Sequence, residues 1–194
     1  MKVNVYKILK KTKVEGPKTR YCIWFQGCSR HCKGCWAKAT WDFNSGMEYE
    51  IDDIINDISK TPNIDGITIL GGEPFEQSEA LGYLCKKVQQ MNLSVVCFTG
   101  NKFDNLKEKY SSILENIDLL IDGEFIEEEK DYSRPWVGSK NQNYHFLSKK
   151  FNKKILNEYK NKIEVNIQKN GTIFINGMGD FEEFIQNLKM PTTH

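Results

Sequence analysis

The amino-acid sequence predicts an α/β protein with a mainly parallel sheet. Short apolar segments typical of buried strands alternate along the chain with segments whose apolar residues recur at helical spacing. Strands separated by helix-length segments are joined by crossovers that leave neighbouring strands parallel. The unusual cysteine, glycine and acidic motifs each follow a predicted strand, and in such sheets ligands bind beyond the carboxyl ends of the strands. We therefore expect these motifs to gather on one face.

Each predicted element has its own local reason. Seven segments read as strands because they are short, rich in β-branched and aromatic residues, and mostly bounded by turn-forming residues. In chain order they are VNVYKIL from Val3, YCIWFQG from Tyr21, GITILGG from Gly66, LSVVCFTG from Leu93, IDLLIDGEF from Ile117, KIEVNIQ from Lys162 and GTIFING from Gly171. Four segments read as helices because their apolar residues share one helical face. They are IDDIINDISK from Ile51, SEALGYLCKKVQQM from Ser78, DNLKEKYSSILEN from Asp104 and DFEEFIQNLKM from Asp180.

Length and charge indicate an ordinary globular protein. A chain of 194 residues fits one domain that spans residues 1–194. Its 27 basic and 26 acidic residues give no electrostatic reason to expect nucleic acid as a partner. The N-terminal segment lacks the apolar centre of a signal peptide, and no segment approaches the roughly 20 apolar residues of a membrane span. We expect a cytoplasmic protein with no membrane partner.

The six cysteines fall into two groups. In a reducing compartment a disulfide framework is not expected, so a close group of cysteines points to metal binding or catalysis. Cys85 and Cys97 lie in apolar segments and are predicted to be small core side chains. Cys22 precedes the close group by six residues, and the strand alternation around it is sufficient to bury it.

Cys28, Cys32 and Cys35 form a C-x3-C-x2-C pattern. This spacing allows one short loop to place a thiolate on each of three irons of a 4Fe-4S cluster, which leaves the fourth iron free for a substrate or cofactor. A tetrahedral zinc site would need another ligand, and His31, the nearest candidate, is sterically awkward beside Cys32. A ferredoxin would need a fourth cysteine close by. The pattern therefore favours an open iron–sulfur cluster.

These cysteines and the later GGEP at residues 71–74 resemble the radical S-adenosylmethionine (SAM) enzymes. Residues 15–46, EGPKTRYCIWFQGCSRHCKGCWAKATWDFNSG, and residues 122–142, DGEFIEEEKDYSRPWVGSKNQ, are similar to the activating enzymes of anaerobic ribonucleotide reductase, as is CFTG at the end of the fourth predicted strand. Two departures stand out. Ala37 occupies a position where that family commonly has asparagine, and Lys18 replaces a glycine.

The resemblance implies a fold and a set of site residues. The fold would be an incomplete, TIM-like barrel of mainly parallel strands with outer helices, forming a single radical SAM domain. The cluster ligands would be Cys28, Cys32 and Cys35. SAM would contact Gly34, Cys35 and Trp36 near the cluster, Gly71, Gly72 and Glu73 at its methionine end, and Thr99 and Asp122 at its ribose hydroxyls. Trp36 alternatively reads as a core aromatic residue, and the last two as capping residues.

The resemblance also implies an activity and its partners. The enzyme would cleave SAM reductively to a 5'-deoxyadenosyl radical and generate a glycyl radical on a large anaerobic ribonucleotide reductase, with a reductant such as flavodoxin or ferredoxin. The alternatives are a radical enzyme that modifies a peptide or small metabolite, and a non-catalytic zinc or electron-transfer protein. With four strand-end motifs already assigned, little chain remains to build a lid, so we expect an open mouth that admits a polypeptide.

Overall fold

The computed structural model describes residues 1–167 and 169–188. Nine strands are present there: β1 Lys2–Thr12, β2 Arg20–Phe25, β3 Met47–Glu50, β4 Gly66–Gly71, β5 Ser94–Thr99, β6 Leu119–Asp122, β7 Asn143–Phe146, β8 Ile163–Ile167 and β9 Ile173–Gly177. The α-helices are α1 Ile51–Lys60, α2 Ser78–Gln90, α3 Phe103–Leu114 and α4 Phe181–Leu188. All seven predicted strands and four predicted helices are therefore found. Gln168, Lys189 and Met190, at the ends of two of them, lie outside the described residues.

The central sheet contains seven strands in the order β3-β1-β2-β4-β5-β6-β7. The inner strands β2, β4, β5 and β6 are parallel, as predicted, and β2, β4 and β5 are each followed along the chain by a connection that returns over the sheet. The outer strands β1, β3 and β7 are antiparallel. The chain is thus a mixed α/β protein with a mainly parallel centre.

The last two predicted strands do not extend that sheet. They form a separate antiparallel hairpin, β8–β9, because only a short turn joins them and no helix intervenes to carry the chain back. The same rule explains β1, since residues 13–19 are too few for a crossover helix between β1 and β2. A short connection dictates an antiparallel pair.

Apolar residues cover both faces of the inner strands. On one face Ile23, Ile69 and Leu120 pack with the apolar sides of α1, α2 and α3. On the other face Val96 and Ile121 pack with residues of the segments that follow β6 and β7. Strands buried on both faces are continuous apolar runs, which is why they were recognisable in the sequence.

The three cysteines outside the close group lie in this core. Cys22, Cys85 and Cys97 have no exposed surface, and burial raises the pKa of all three thiols. The prediction that Cys85 and Cys97 are core side chains is confirmed. Within residues 1–167 and 169–188, no helix is long and apolar enough to cross a membrane.

Candidate cluster and cofactor site

The carboxyl ends of the inner strands bring the predicted motifs to one edge of the sheet. Phe25 of β2 lies opposite Gly71 of β4, and Thr99 of β5 lies opposite Asp122 of β6. The cysteine loop, residues 27–36, and the glycine turn, residues 71–74, are also joined directly. The Gly72 amide donates to Phe25 O at 2.8 Å, and the Glu73 amide donates to the Gly27 carbonyl at 2.9 Å.

Backbone hydrogen bonds fasten the start of the cysteine loop and close a turn at its end. At its start the Gly27 amide donates to Thr40 O at 2.8 Å and the Cys28 amide to Trp41 O at 3.0 Å, while at its end the Cys35 amide donates to Cys32 O at 3.1 Å. Cys28 is buried, whereas Cys32 and Cys35 are partly exposed. The three thiols therefore sit on one loop that opens toward solvent on one side.

The surroundings of two of the thiols disfavour their thiolate forms in the absence of a cation. Burial raises the pKa of Cys28, although backbone amides of Arg30 and His31 act in the opposite direction. Burial, followed by the negative charge of Glu124, raises the pKa of Cys32 to about 11. Iron would reverse this preference, because a metal cation stabilises the thiolate that binds it.

The donor set fits an iron–sulfur cluster better than a single ion. In the described part of the chain, no three side chains of His, Cys, Asp or Glu are arranged to hold one metal ion. A cubane does not require such convergence, because each thiolate binds a different iron. His31 points to the same conclusion, since its ring stacks on Trp41 with the ring centroids 4.6 Å apart.

A cavity of about 340 Å³ opens beside this loop. Four residues predicted to contact the cofactor line it, namely Gly34, Cys35, Trp36 and Gly71. Trp36 is 48% exposed, so the alternative interpretation of this residue as a core aromatic is wrong. The volume is within the range of small-molecule sites, about 300–1,000 Å³.

The two glycines at the end of β4, Gly71 and Gly72, are required by the packing of the protein's own backbone. Gly71 has a φ of +108°, a conformation that side chains disfavour. A Cβ on Gly72 would lie 2.2 Å from the Gly27 carbonyl oxygen. The sequence had suggested that these glycines let a ligand approach. The structure shows that Gly71 first lets β4 pack against the backbone of β2, and that Gly72 lets the glycine turn pack against the start of the cysteine loop.

Glu73 and Thr99 form a buried network behind the cavity. One carboxylate oxygen of Glu73 accepts from the Thr99 hydroxyl at 2.8 Å and from the Phe75 amide at 3.1 Å. The other accepts from the Gly100 amide at 2.9 Å. Neither Glu73 nor Thr99 is among the residues that line the cavity. Their contact with SAM stays a prediction, and in this structure they tie the ends of β4 and β5 together.

Asp122 has a comparable position at the end of β6. It accepts from the Phe103 amide at 2.7 Å, which satisfies a free donor at the start of α3, and its other oxygen lies 3.1 Å from Nε2 of His145. Asp122 does not line the cavity either. The capping role that the sequence left open for this residue is therefore present, and the ribose contact stays a prediction.

The sequence analysis missed one wall of the cavity. The C-terminal hairpin and the start of α4 contribute Phe174, Ile175, Asn176, Gly177, Met178, Gly179 and Phe181, and Glu15 and Trp24 lie beside them. The expectation that little chain remains for a lid is therefore wrong. The signal that was overlooked is INGMG at residues 175–179, which, like the earlier GGEP, places glycines directly after a strand.

Comparisons with known proteins identify the family. Residues 14–145 match the family model of a 4Fe-4S single cluster domain. The anaerobic ribonucleoside-triphosphate reductase-activating protein of Escherichia coli K12 is 36% identical over 143 residues, which cover 69% of this chain and 92% of that protein. This chain belongs to the anaerobic ribonucleoside-triphosphate reductase-activating protein family. The resemblance inferred from the cysteine and glycine motifs is thereby confirmed.

Other members of the family are similarly related. The activating protein of Haemophilus influenzae is 34% identical over 140 residues, covering 68% of this chain and 90% of that protein. The corresponding protein of Enterobacteria phage T4 is 29% identical over 136 residues, covering 66% and 85%. Among solved structures, QueE from Escherichia coli superposes with a TM-score of 0.43 at 18% identity, over 52% of this chain and 53% of that one.

Proposed function

We propose that this protein activates an anaerobic ribonucleotide reductase by generating a glycyl radical on it. The observation that carries the proposal is the meeting of the cysteine loop and the glycine turn at one cavity, in a member of the reductase-activating family. When bound, a 4Fe-4S cluster and SAM supply the electron and the 5'-deoxyadenosyl radical that this chemistry needs. The protein's own residues hold, orient and shield them.

We assign the cluster to Cys28, Cys32 and Cys35. Their position on one loop, with no fourth cysteine nearby in the sequence, supports a 4Fe-4S cluster in which the protein binds three of the four irons. For SAM, the exposed ring of Trp36 and the small surfaces of Gly34 and Gly71 support a contact along the cavity wall. Gly72, Glu73, Thr99 and Asp122 enter the proposal as the residues that hold this wall in place, with direct SAM contact as their further predicted role.

The remaining features of the proposal concern the whole protein. We propose that residues 1–194 form one radical SAM domain, and that the sheet, whose edges β3 and β7 are unpaired with each other, has the form of an incomplete barrel. We also propose that the protein acts in the cytoplasm, with a flavodoxin or ferredoxin as reductant and without nucleic acid.

The proposal is tested by mixing the anaerobically reconstituted protein with a reductant, SAM and the anaerobic reductase from the same organism. Electron paramagnetic resonance should then show the doublet of a glycyl radical. A competent reductase that yields no doublet, despite cleavage of SAM to 5'-deoxyadenosine and methionine, would contradict it.

One observation favours a second candidate function. The C-terminal hairpin adds a wall to a cavity of about 340 Å³, a volume suited to a small molecule. A radical SAM enzyme that modifies a peptide or small metabolite would use such a cavity for its substrate. SAM cleavage without a glycyl doublet would support this second function.

The cluster ligands are tested by serine substitution. Replacement of Cys28, Cys32 or Cys35 by serine should abolish the iron–sulfur absorption of the reconstituted protein. Ser at Cys85 or Cys97 is the matched control and should retain it, because both residues are buried in the core, away from the loop. Iron retained by the first three variants would overturn the ligand assignment.

A further inference from the structure

The C-terminal strap comprises β8, β9 and residues 178–181, which lead into α4. It lies outside residues 14–145, the part that matches the family model. It nevertheless forms a wall of the candidate cavity, which Gly34, Cys35 and Gly71 also line. A polypeptide that approaches the cluster from this side would meet the strap first.

Aromatic contacts hold the strap against the body of the protein. The edge of Phe174 meets Trp24 of β2, with the ring centroids 5.7 Å apart, and Nζ of Lys7 lies 3.3 Å from the centroid of the Phe174 ring. At the start of α4, Phe181 lies 4.9 Å from Trp36 of the cysteine loop. The strap therefore touches the cluster loop itself.

A polar latch, formed by Thr12, Glu15, Asn176 and Gly177, completes the attachment. The Gly177 amide donates to Oε1 of Glu15 at 2.6 Å. Nδ2 of Asn176 lies within hydrogen-bond distance of the same oxygen, at 3.3 Å, and of the Thr12 hydroxyl, at 3.2 Å. All these groups are buried or half-buried. Both partners belong to the end of β1 and the turn after it.

In contrast to a core strand, the strap exposes several of its apolar side chains and buries or half-buries polar ones. Its outward face exposes Val165, Ile167 and Ile173, which are 39%, 73% and 59% exposed. Asn166 and Asn176 share the inward face with Phe174. A two-stranded hairpin is marginal on its own, so opening of the strap costs little compared with global unfolding.

We propose that the C-terminal strap is a displaceable cover, which the substrate polypeptide moves aside to reach the cavity. This inference rests on the proposed function, because it takes the substrate to be a polypeptide of the reductase. In the free protein the strap closes the cavity through the latch and the aromatic contacts. When the partner's glycine segment enters, the latch opens and the wall moves away from Cys35.

The test is hydrogen–deuterium exchange of the anaerobic, cluster-loaded protein, alone and with the reductase. Amides of β8 and β9 should exchange at least severalfold faster when the reductase is present, while those of β4 and β5 should not change. Unchanged or slower exchange in β8 and β9, together with a normal glycyl doublet, would overturn the inference and leave the proposed function standing. Absence of the doublet would instead count against the proposed function.

A pair of variants tests the latch without the partner. Asn176→Ala removes the hydrogen bonds to Glu15 and Thr12 and a third, from Asn166, within the hairpin, so strap amides in the free protein should exchange about fivefold to tenfold faster, given the modest net contribution of each bond. Thr172→Ala, an exposed side chain in the turn of the same hairpin, is the control and should match the native protein. Cleavage by trypsin after Lys162 and Lys169 gives a second readout. Equal exchange and cleavage in both variants would show that the latch does not hold the strap.

Discussion

Gly72 shows that a residue at this site can be required for backbone packing, independently of any contact with a ligand. Its missing Cβ allows the turn after β4 to lie against the Gly27 carbonyl, one residue before the first predicted cluster ligand. Neighbouring backbone atoms cannot move aside as a flexible side chain would. A disturbance at Gly72 is thus passed directly to Cys28.

Gly72→Ala is therefore expected to lower both stability and iron retention. The added Cβ, 2.2 Å from an oxygen, forces the turn and the cysteine loop apart at a cost of about 1–3 kcal/mol. Denaturant unfolding and iron content after reconstitution measure the two effects. Gly82→Ala in α2 is the control, because its Cβ would meet only the Ile113 side chain, at 3.1 Å. A Gly72→Ala protein with native stability and full iron would refute this explanation.

Glu15 is a carboxyl group whose environment disfavours its charge. Burial raises its pKa from 4.5 to about 7, although hydrogen bonds from the Gly177 amide and Asn176 oppose the shift. The folded protein therefore binds this proton more tightly than the unfolded chain does. The resulting stabilisation is complete below pH 4.5 and is lost as the pH rises through about 7.

Stability should consequently fall between about pH 5 and about pH 8, by up to roughly 3 kcal/mol from this group. Glu15→Gln, which cannot ionise, should show a shallower pH dependence by a similar amount. Urea unfolding of the two proteins across this range measures the difference, which cancels the titration of other groups. Identical pH profiles would show that Glu15 is ionised in the folded protein at neutral pH.

At the scale of elements, the opposite end of the sheet is held by a buried arginine. Arg20, at the start of β2, has no exposed surface. Its guanidinium donates to the Thr68 hydroxyl at 3.1 Å and to the hydroxyl and carbonyl of Ser94 at 2.7 and 3.0 Å, and also to the Ile67 carbonyl. One side chain thus joins three neighbouring parallel strands where they begin.

Arg20→Ala is expected to destabilise the fold by roughly 3 kcal/mol or more, because it leaves a cavity and unpaired acceptors between the strands. Chemical unfolding measures this loss. Lys10→Ala, which removes the exposed Lys10–Asp57 ion pair, is the control and should cost less than about 1 kcal/mol. The folded fraction of Arg20→Ala should bind iron normally, since the cysteine loop is at the other end. A loss similar to that of the control would contradict the assigned role.

The elements also show what the sequence can and cannot predict. Inner strands and helices were predictable because continuous apolar runs and helical spacing follow directly from burial. The edge strands β3, MEYE, and β7, NYHF, were missed because little of either is buried. The Lys18 that replaces the family's glycine has a φ of +63°, which explains the glycine but could not be inferred without coordinates.

The candidate site was also predictable only in part. The cysteine spacing and the glycines after a strand located the loop and the edge of the sheet, because both follow from local chemistry. The C-terminal wall was not found, since its contacts to Glu15, Trp24 and Trp36 join residues distant in sequence. The inward turn of Glu73, Thr99 and Asp122 also depends on side-chain packing that no pattern encodes.

At the scale of the whole molecule, the fold separates stability from chemistry. Arg20 and the apolar clusters hold the sheet together, whereas the cysteine loop, the glycine turn and the C-terminal strap surround the cavity at the strand ends. Among the described residues, positions 29–39 contribute nothing to either apolar cluster. A bound iron–sulfur cluster would therefore order the cysteine loop without being needed to form the apolar core.

Removal of iron should accordingly leave the protein folded. After anaerobic chelation we expect an unchanged far-UV circular dichroism spectrum and a decrease in Tm, at about 2–4 °C for each kcal/mol that the cluster contributes. Exchange of amides in residues 28–36 should rise sharply, while that of β4 and β5 should stay slow. The triple Ser variant of Cys28, Cys32 and Cys35 is the matched control and should behave as the chelated protein does. Loss of the circular dichroism signal on chelation would mean that the cluster is part of the core, as in small proteins that fold only around their metal.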